Sequence, residues 1–258
     1  MNDPVVELDS VSVKKSRYVL LDRINLRISG KEFVGIIGPN GAGKTSLINV
    51  IAGFEKFEGS LRLFGRAETA TRSRATRVRI GYVPQLFEID PAFPILAIEA
   101  VMIGLCGRTG LFRSPGNSER QKALELMDTI RIAHLAYRPL GHLSGGERQK
   151  ISIARAIIQN PEILLLDEPT ANLDIAVQKE VLDLIGEIHE RESMAVLFVT
   201  HDFNMIPGSM QRVIFMNHGR IVFDGDIDDA MTGDRMSRLF EYPLEIFERN
   251  GRRFVSFG

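Results

Sequence analysis

A single turn decides most of what this chain can become. Gly38-Pro39-Asn40-Gly41-Ala42-Gly43-Lys44-Thr45 stands directly behind a compact apolar run, Phe33–Ile37. The order of residue types is G-x-x-x-x-G-K-[ST], and the chemistry of phosphate binding asks for that order. Glycines let successive backbone N–H groups curl around phosphate oxygens, and the helix that follows presents its positive N-terminal end. Lys44 is placed to reach β- and γ-phosphates and the Thr45 hydroxyl to ligate Mg²⁺, with Ser46 offering a further bond to the α-phosphate. A buried strand over Phe33–Ile37 and a helix over Lys44–Ala52 are the expected flanks.

The acidic counterpart lies farther along. Ile163-Leu164-Leu165-Leu166 reads as a strand buried on both faces, with Asp167 and Glu168 at its carboxyl end. In open α/β sheets ligands bind at that edge. Asp167 is expected to hold Mg²⁺ through a water and Glu168 to polarise an attacking water. A third segment, Leu143-Ser144-Gly145-Gly146-Glu147, combines a capping box with two exposed glycines. Its uncovered N–H groups make a second anion site with no phosphate nearby in the same chain, which points to a phosphate carried by another subunit.

The rest of the chain sorts into lobes. Residues 5–8, 10–13, 24–28 and 60–64 read as short antiparallel strands, and residues 86–141 as a helical insert with Leu124, Met127 and Ile130 at three-residue steps. Residues 104–117 read as a mobile loop within it. A helix from about Gly145 to Asn160-Pro161, a second helix over residues 175–190 and a strand Ala195–Thr200 follow. Hairpins are expected around Asn217-His218-Gly219 and around Asn250-Gly251. Arg66, Arg72, Arg74, Arg77 and Arg79 read as a solvated loop, with a lipid-headgroup or partner contact as the alternative.

Composition narrows the setting. With 258 residues, 44% of them hydrophobic, the chain can bury a full core. A net charge of −1 gives no pull toward nucleic acid, and one cysteine, Cys106, suits a reducing compartment. The N-terminus lacks the marks of a signal peptide, and the apolar residues 95–106 are too few to cross a bilayer.

Taken together, the P-loop, the Leu143-Ser144-Gly145-Gly146 segment and residues 165–170 resemble the ATP-binding cassette family, over roughly residues 5–225. The resemblance implies a RecA-like P-loop α/β core with an antiparallel β subdomain and an inserted α-helical subdomain. The expected layout is an ATPase domain over residues 1–233, with the helical subdomain at about 86–141, and a C-terminal extension over 234–258. Three further residues take roles from the resemblance: Gln85 as the sensor of Mg²⁺ and the attacking water, Asp174 as a dimer contact, and His201 as the γ-phosphate contact. The family's adenine-stacking aromatic is missing, and Lys15 occupies its slot with Tyr18 three residues later, so either could meet the base.

The implied assembly is a homodimer whose composite sites each hold ATP and Mg²⁺. It would sit at the cytoplasmic side of the inner membrane on integral-membrane permease subunits, fed by an extracytoplasmic solute-binding protein. Residues 82–105 resemble the metal and iron-chelate importer branch, with Phe87 and Phe93 as rim residues for the permease. An exporter subunit and a cassette ATPase that moves no solute are the alternatives.

Overall fold

The computed structural model describes residues 4–85, 94–109, 116–204, 206–249 and 252–257. In chain order the strands are β1 Pro4–Lys15, β2 Tyr18–Ser29, β3 Phe33–Ile37, β4 Glu58–Leu63, β5 Arg66–Glu68, β6 Ile80–Val83, β7 Ile163–Asp167, β8 Ala195–Thr200, β9 Arg212–Asn217, β10 Arg220–Asp226, β11 Leu244–Arg249 and β12 Arg252–Phe257. The helices are α1 Lys44–Ala52, α2 Arg74–Arg77, α3 Ala97–Met102, α4 Cys106–Thr109, α5 Asn117–Thr129, α6 Gly145–Ile157, α7 Ile175–Glu192, α8 Ile227–Ala230 and α9 Gly233–Phe240.

Three apolar runs explain the centre of the molecule. β3, β7 and β8 are buried at every position, as strands covered on both faces must be. They lie in a sheet of order β10-β9-β3-β8-β7-β6, parallel except for β10. One face, with Ile36, Leu165 and Leu197, packs with α1 against the antiparallel sheet β2-β1-β4-β5. The other face, with Ile37, Leu166 and Phe198, packs on α6, α7 and the helical lobe, and Met236, Leu239 and Leu244 of the tail join that same cluster. A boundary at residue 233/234 therefore falls at the first turn of α9. Among the described residues no helix is long and apolar enough to cross a membrane.

Several expectations are corrected. Residues 5–8 and 10–13 form one strand, because Ser10 takes a left-handed φ of 53° at a bulge and its N–H is met by Asn25 Oδ1 at 2.9 Å. The first part of the expected loop at 104–117 is helical. Gly104 presses so closely on α6 that a Cβ there would lie 2.0 Å from the Arg155 carbonyl, which fixes the chain through α4. Residues 86–93 and 110–115 lie outside the described residues, and with them Phe87, Phe93 and the rest of that loop. The Asn250-Gly251 turn does too, although β11 and β12 pair on either side of it.

The arginine-rich stretch is not a solvated loop. It holds β5 and α2, and Arg72 is 3% exposed. Its guanidinium donates to the Val50, Ile51 and Thr69 carbonyls, two of which belong to the last turn of α1, where the Val50 carbonyl also accepts from Gly53 N–H at 3.2 Å. Arg74 donates to the Gly107 and Arg108 carbonyls of α4 at 2.8 and 2.7 Å. Arg79 pairs with Glu162 and covers the Phe64 ring. Arg66, Arg74 and Arg77 are the exposed members.

Candidate nucleotide site

The P-loop is wedged between two hairpins. Ala42 receives a hydrogen bond at its carbonyl from Gly219 N–H at 3.0 Å, and Gly219 in turn accepts from Asp22 N–H of β2 at 2.8 Å. Gly43 must be glycine twice over: its φ is 99°, and a Cβ would lie 2.6 Å from the Leu20 carbonyl. This fixes the start of α1, whose first residue is Lys44. The Lys44 ammonium donates to the Gly38 and Pro39 carbonyls at 2.8 and 3.0 Å and stands 4.0 Å from Glu168 Oε1. Burial lowers its pKa, while the Glu168 and Asp167 charges oppose that shift.

Residues far apart in sequence meet at the next position. Thr45 Oγ1 donates to Asp167 Oδ1 at 3.1 Å. Burial raises the Asp167 pKa, the Thr45 bond and the Lys44 charge oppose the rise, and the Glu168 charge adds to it. Glu168 adopts a left-handed φ of 47°, held by its N–H to the Val199 carbonyl at 3.1 Å. That turn lifts its carboxylate out of the strand line toward His201, whose Nδ1 is 3.1 Å from Oε1.

Lys44, Thr45, Glu168 and His201 line an open cleft of about 560 Å³, together with Leu20, Asn40, Gly41, Ala42, Gly43, Ser46, Gln85, Ala171 and Asn172, and Asp167 is joined to it through Thr45. Its size is within the range for small-molecule sites. Phosphate-binding, acidic and histidine elements predicted from the sequence thus converge. Six predicted members stand elsewhere. Lys15 and Tyr18 pair across the β1–β2 turn, both exposed, Tyr18 by 76%. Asp174 is exposed at the N-terminus of α7. Ser144, Gly145 and Gly146 open α6, with Ser144 Oγ accepting from Glu147 N–H at 3.2 Å and Glu147 Oε2 accepting from Ser144 N–H at 2.7 Å. None of them lines the cleft.

Sequence reasoning missed Leu20, Ala171 and Asn172 as lining residues. Asn172 carried a signal, since asparagine tolerates the left-handed φ of 60° found there. Leu20 carried none, because only the register of β2 brings it to Gly43.

Comparison with known proteins accounts for this arrangement. The profile of the family described as ABC transporter matches residues 21–171. The zinc uptake system ATP-binding protein ZurA of Listeria monocytogenes is 34% identical over 251 residues, 96% of this chain and 94% of that protein. The phosphonates import ATP-binding protein PhnC of Trichormus variabilis is 36% identical over 241 residues, covering 89% and 96%. Among solved structures, an inward-facing structure described as a metal-chelate type ABC transporter has a TM-score of 0.84 at 25% identity, covering 99% of this chain and 97% of that one. The chain belongs to the ABC transporter family, as one of its ATP-binding, ATP-hydrolysing subunits.

Proposed function

We propose that this chain binds ATP with Mg²⁺ and, as a head-to-tail homodimer on integral-membrane permease subunits, drives import of a metal ion or metal chelate. The observation that carries the site reading is the meeting of Thr45 Oγ1 and Asp167 Oδ1 at 3.1 Å across 122 residues. A hydroxyl and a carboxylate are hard oxygen donors, the kind that suit Mg²⁺ shared with phosphates, so Thr45, Asp167 and Gln85 would hold it. Bound there, the ion would neutralise charge that develops on the phosphates.

The chain's own groups supply the rest. Backbone N–H groups of Gly41, Ala42, Gly43 and Lys44 cradle phosphate oxygens, and the Lys44 ammonium exchanges its carbonyl partners for β- and γ-oxygens. Glu168 takes a proton from the attacking water as oxygen bonds to the γ-phosphorus and the bond to the β-phosphate oxygen breaks, leaving ADP and phosphate. His201, beside Glu168, contacts the γ-phosphate. Ser144, Gly145 and Gly146 lie outside the cleft of their own chain, which supports their serving the partner's ATP, with Asp174 at the same seam. Tyr18 or Lys15 would meet the adenine, since both project from the turn that leads to Leu20.

Residues 1–233 are the ATPase domain in this reading and 234–258 its extension. The place of work is the cytoplasmic side of the inner membrane, with an extracytoplasmic solute-binding protein acting through the permease. The metal assignment leans on the zinc-uptake relative and the metal-chelate structure, against a phosphonate relative of similar identity. Deleting the gene should lower uptake of radiolabelled zinc or manganese and spare phosphonate uptake. The opposite pattern overturns the metal assignment and leaves the ATPase reading standing.

A further inference from the structure

The tail closes on the loop that carries His201. After β8 the chain turns through nested local bonds: Asp202 N–H donates to Thr200 Oγ1 and Asn204 N–H to Asp202 Oδ1, each at 2.9 Å. These bonds shape the turn but do not anchor it to anything else. Two contacts with the tail do. The Asn204 amide accepts from Val255 N–H at 2.9 Å and donates to the Val255 carbonyl at 3.3 Å, the pairing a neighbouring strand would make along the edge of β12 away from β11. One residue earlier, the Phe203 ring meets Phe240 at the end of α9 edge to face, with centroids 5.1 Å apart.

The tail is itself firmly seated. Met236, Leu239, Leu244 and Val255 are buried in the large hydrophobic cluster. Asn217 Nδ2, at the end of β9, donates to Glu241 Oε1 at 3.2 Å. A fixed element therefore grips two consecutive side chains, Phe203 and Asn204, just beyond His201. The histidine needs such a hold, because its side chain is 49% exposed on a turn and must keep its nitrogen beside Glu168. Misplacement of a reacting group by about 1 Å can cost on the order of a hundredfold in rate.

We propose that the C-terminal segment is a positioning element for ATP hydrolysis, in which Asn204, held by the Val255 backbone, and Phe203, held by Phe240, set His201 against Glu168. Asn204 is a positioning residue: it acts through His201 and does not line the nucleotide cleft. The inference rests on the reading of His201 as a γ-phosphate contact.

The test is steady-state ATPase kinetics of the full-length chain carrying Asn204→Ala, Val255→Pro, both together, or His201→Ala. Proline at 255 removes the N–H that Asn204 receives, and both backbone groups of Val255 face Asn204, so no ladder bond to β11 is lost. Each of the first two changes should lower kcat roughly three- to tenfold, the population shift that one or two hydrogen bonds can hold, with KM for ATP within about twofold. The double variant should be no slower than the worse single, because both cut the same tether. Hydrogen exchange of residues 200–206 should quicken in each, and that of residues 38–46 should not.

Unchanged kcat in Asn204→Ala beside a deficient His201→Ala overturns this inference alone. Effects that multiply in the double variant, or a loss seen only in KM, overturn it as well. A fully active His201→Ala overturns the reading of His201 beneath it.

Discussion

Glu168→Gln separates binding from cleavage, and the geometry sets the size of each effect. The amide keeps the shape of the side chain and removes the base. Loss of a general base is worth ~10²–10⁴ in rate, or about 3–5 kcal/mol of barrier. ATP binding should strengthen. Glu168 Oε1 lies 4.0 Å from Lys44 Nζ, where unit charges attract by about 4 kcal/mol at an effective dielectric of ~20, less the part screened by solvent at a carboxylate that is 16% exposed. Neutralising it releases Lys44 for phosphate and removes a repulsion toward the γ-phosphate. Uncleaved ATP should then hold two copies together through the partner's Ser144, Gly145 and Gly146. Adding Ser144→Arg fills that contact with a bulky side chain and removes a cap worth about 1 kcal/mol, so the monomer should stay folded while the dimer is lost. Phosphate release and sedimentation with Mg-ATP read both steps. A single variant that turns over within tenfold of the parent, or a double variant that dimerises equally well, refutes the reasoning.

Three further outcomes follow from particular contacts. Tyr18→Ala should weaken ATP affinity by ~1–3 kcal/mol in a fluorescent-nucleotide titration if Tyr18 stacks on adenine, and a loss confined to Lys15→Ala would move the contact there. Gly146→Ala would place a Cβ 2.2 Å from Val177 Cγ1, so it should lower stability by about 1–3 kcal/mol in a thermal melt, with Val177→Ala restoring most of it. Glu147 is held below the usual carboxylate range chiefly by the Ser144 N–H, with help from the Ser144 hydroxyl and Arg138 and against the pull of burial. The stability it lends is full above its unfolded pKa and fades as pH falls through the lower folded value. Glu147→Gln should accordingly flatten the pH dependence of melting between about pH 5 and pH 3, and an unchanged slope would count against the capping box.

What was legible in the sequence is what backbone chemistry dictates locally. Phe33–Ile37, Lys44–Ala52 and Ala195–Thr200 have the bounds read from apolar runs and glycine spacing, because a strand covered on both faces has little choice of residue. The meeting of Thr45, Asp167, Glu168 and His201 was legible as well, since the last three sit at the carboxyl end of a parallel strand or in the turn after one and Thr45 lies in the first turn of the helix that follows the turn after β3. Features that depend on distant partners were not. Arg72 has the composition of a surface residue, and only the position of the last turn of α1 makes its burial favourable. Ser10 looks like a break between two strands until Asn25 is seen to satisfy its N–H. The grip of the tail on Asn204 uses the backbone of Val255, which no side-chain pattern records.

The arginine strap also sets a rule for anyone recombining this chain with its relatives. Through Arg72 and Arg74, one short segment is fastened to the far end of the P-loop helix and to α4 of the helical lobe. A chimera that imports a foreign helical lobe while keeping residues 69–77 would leave Arg74 without the carbonyls it was fitted to. One that imports residues 69–77 alone would leave the end of α1 open. The natural unit of exchange is therefore not the helical lobe by itself but the lobe together with its strap.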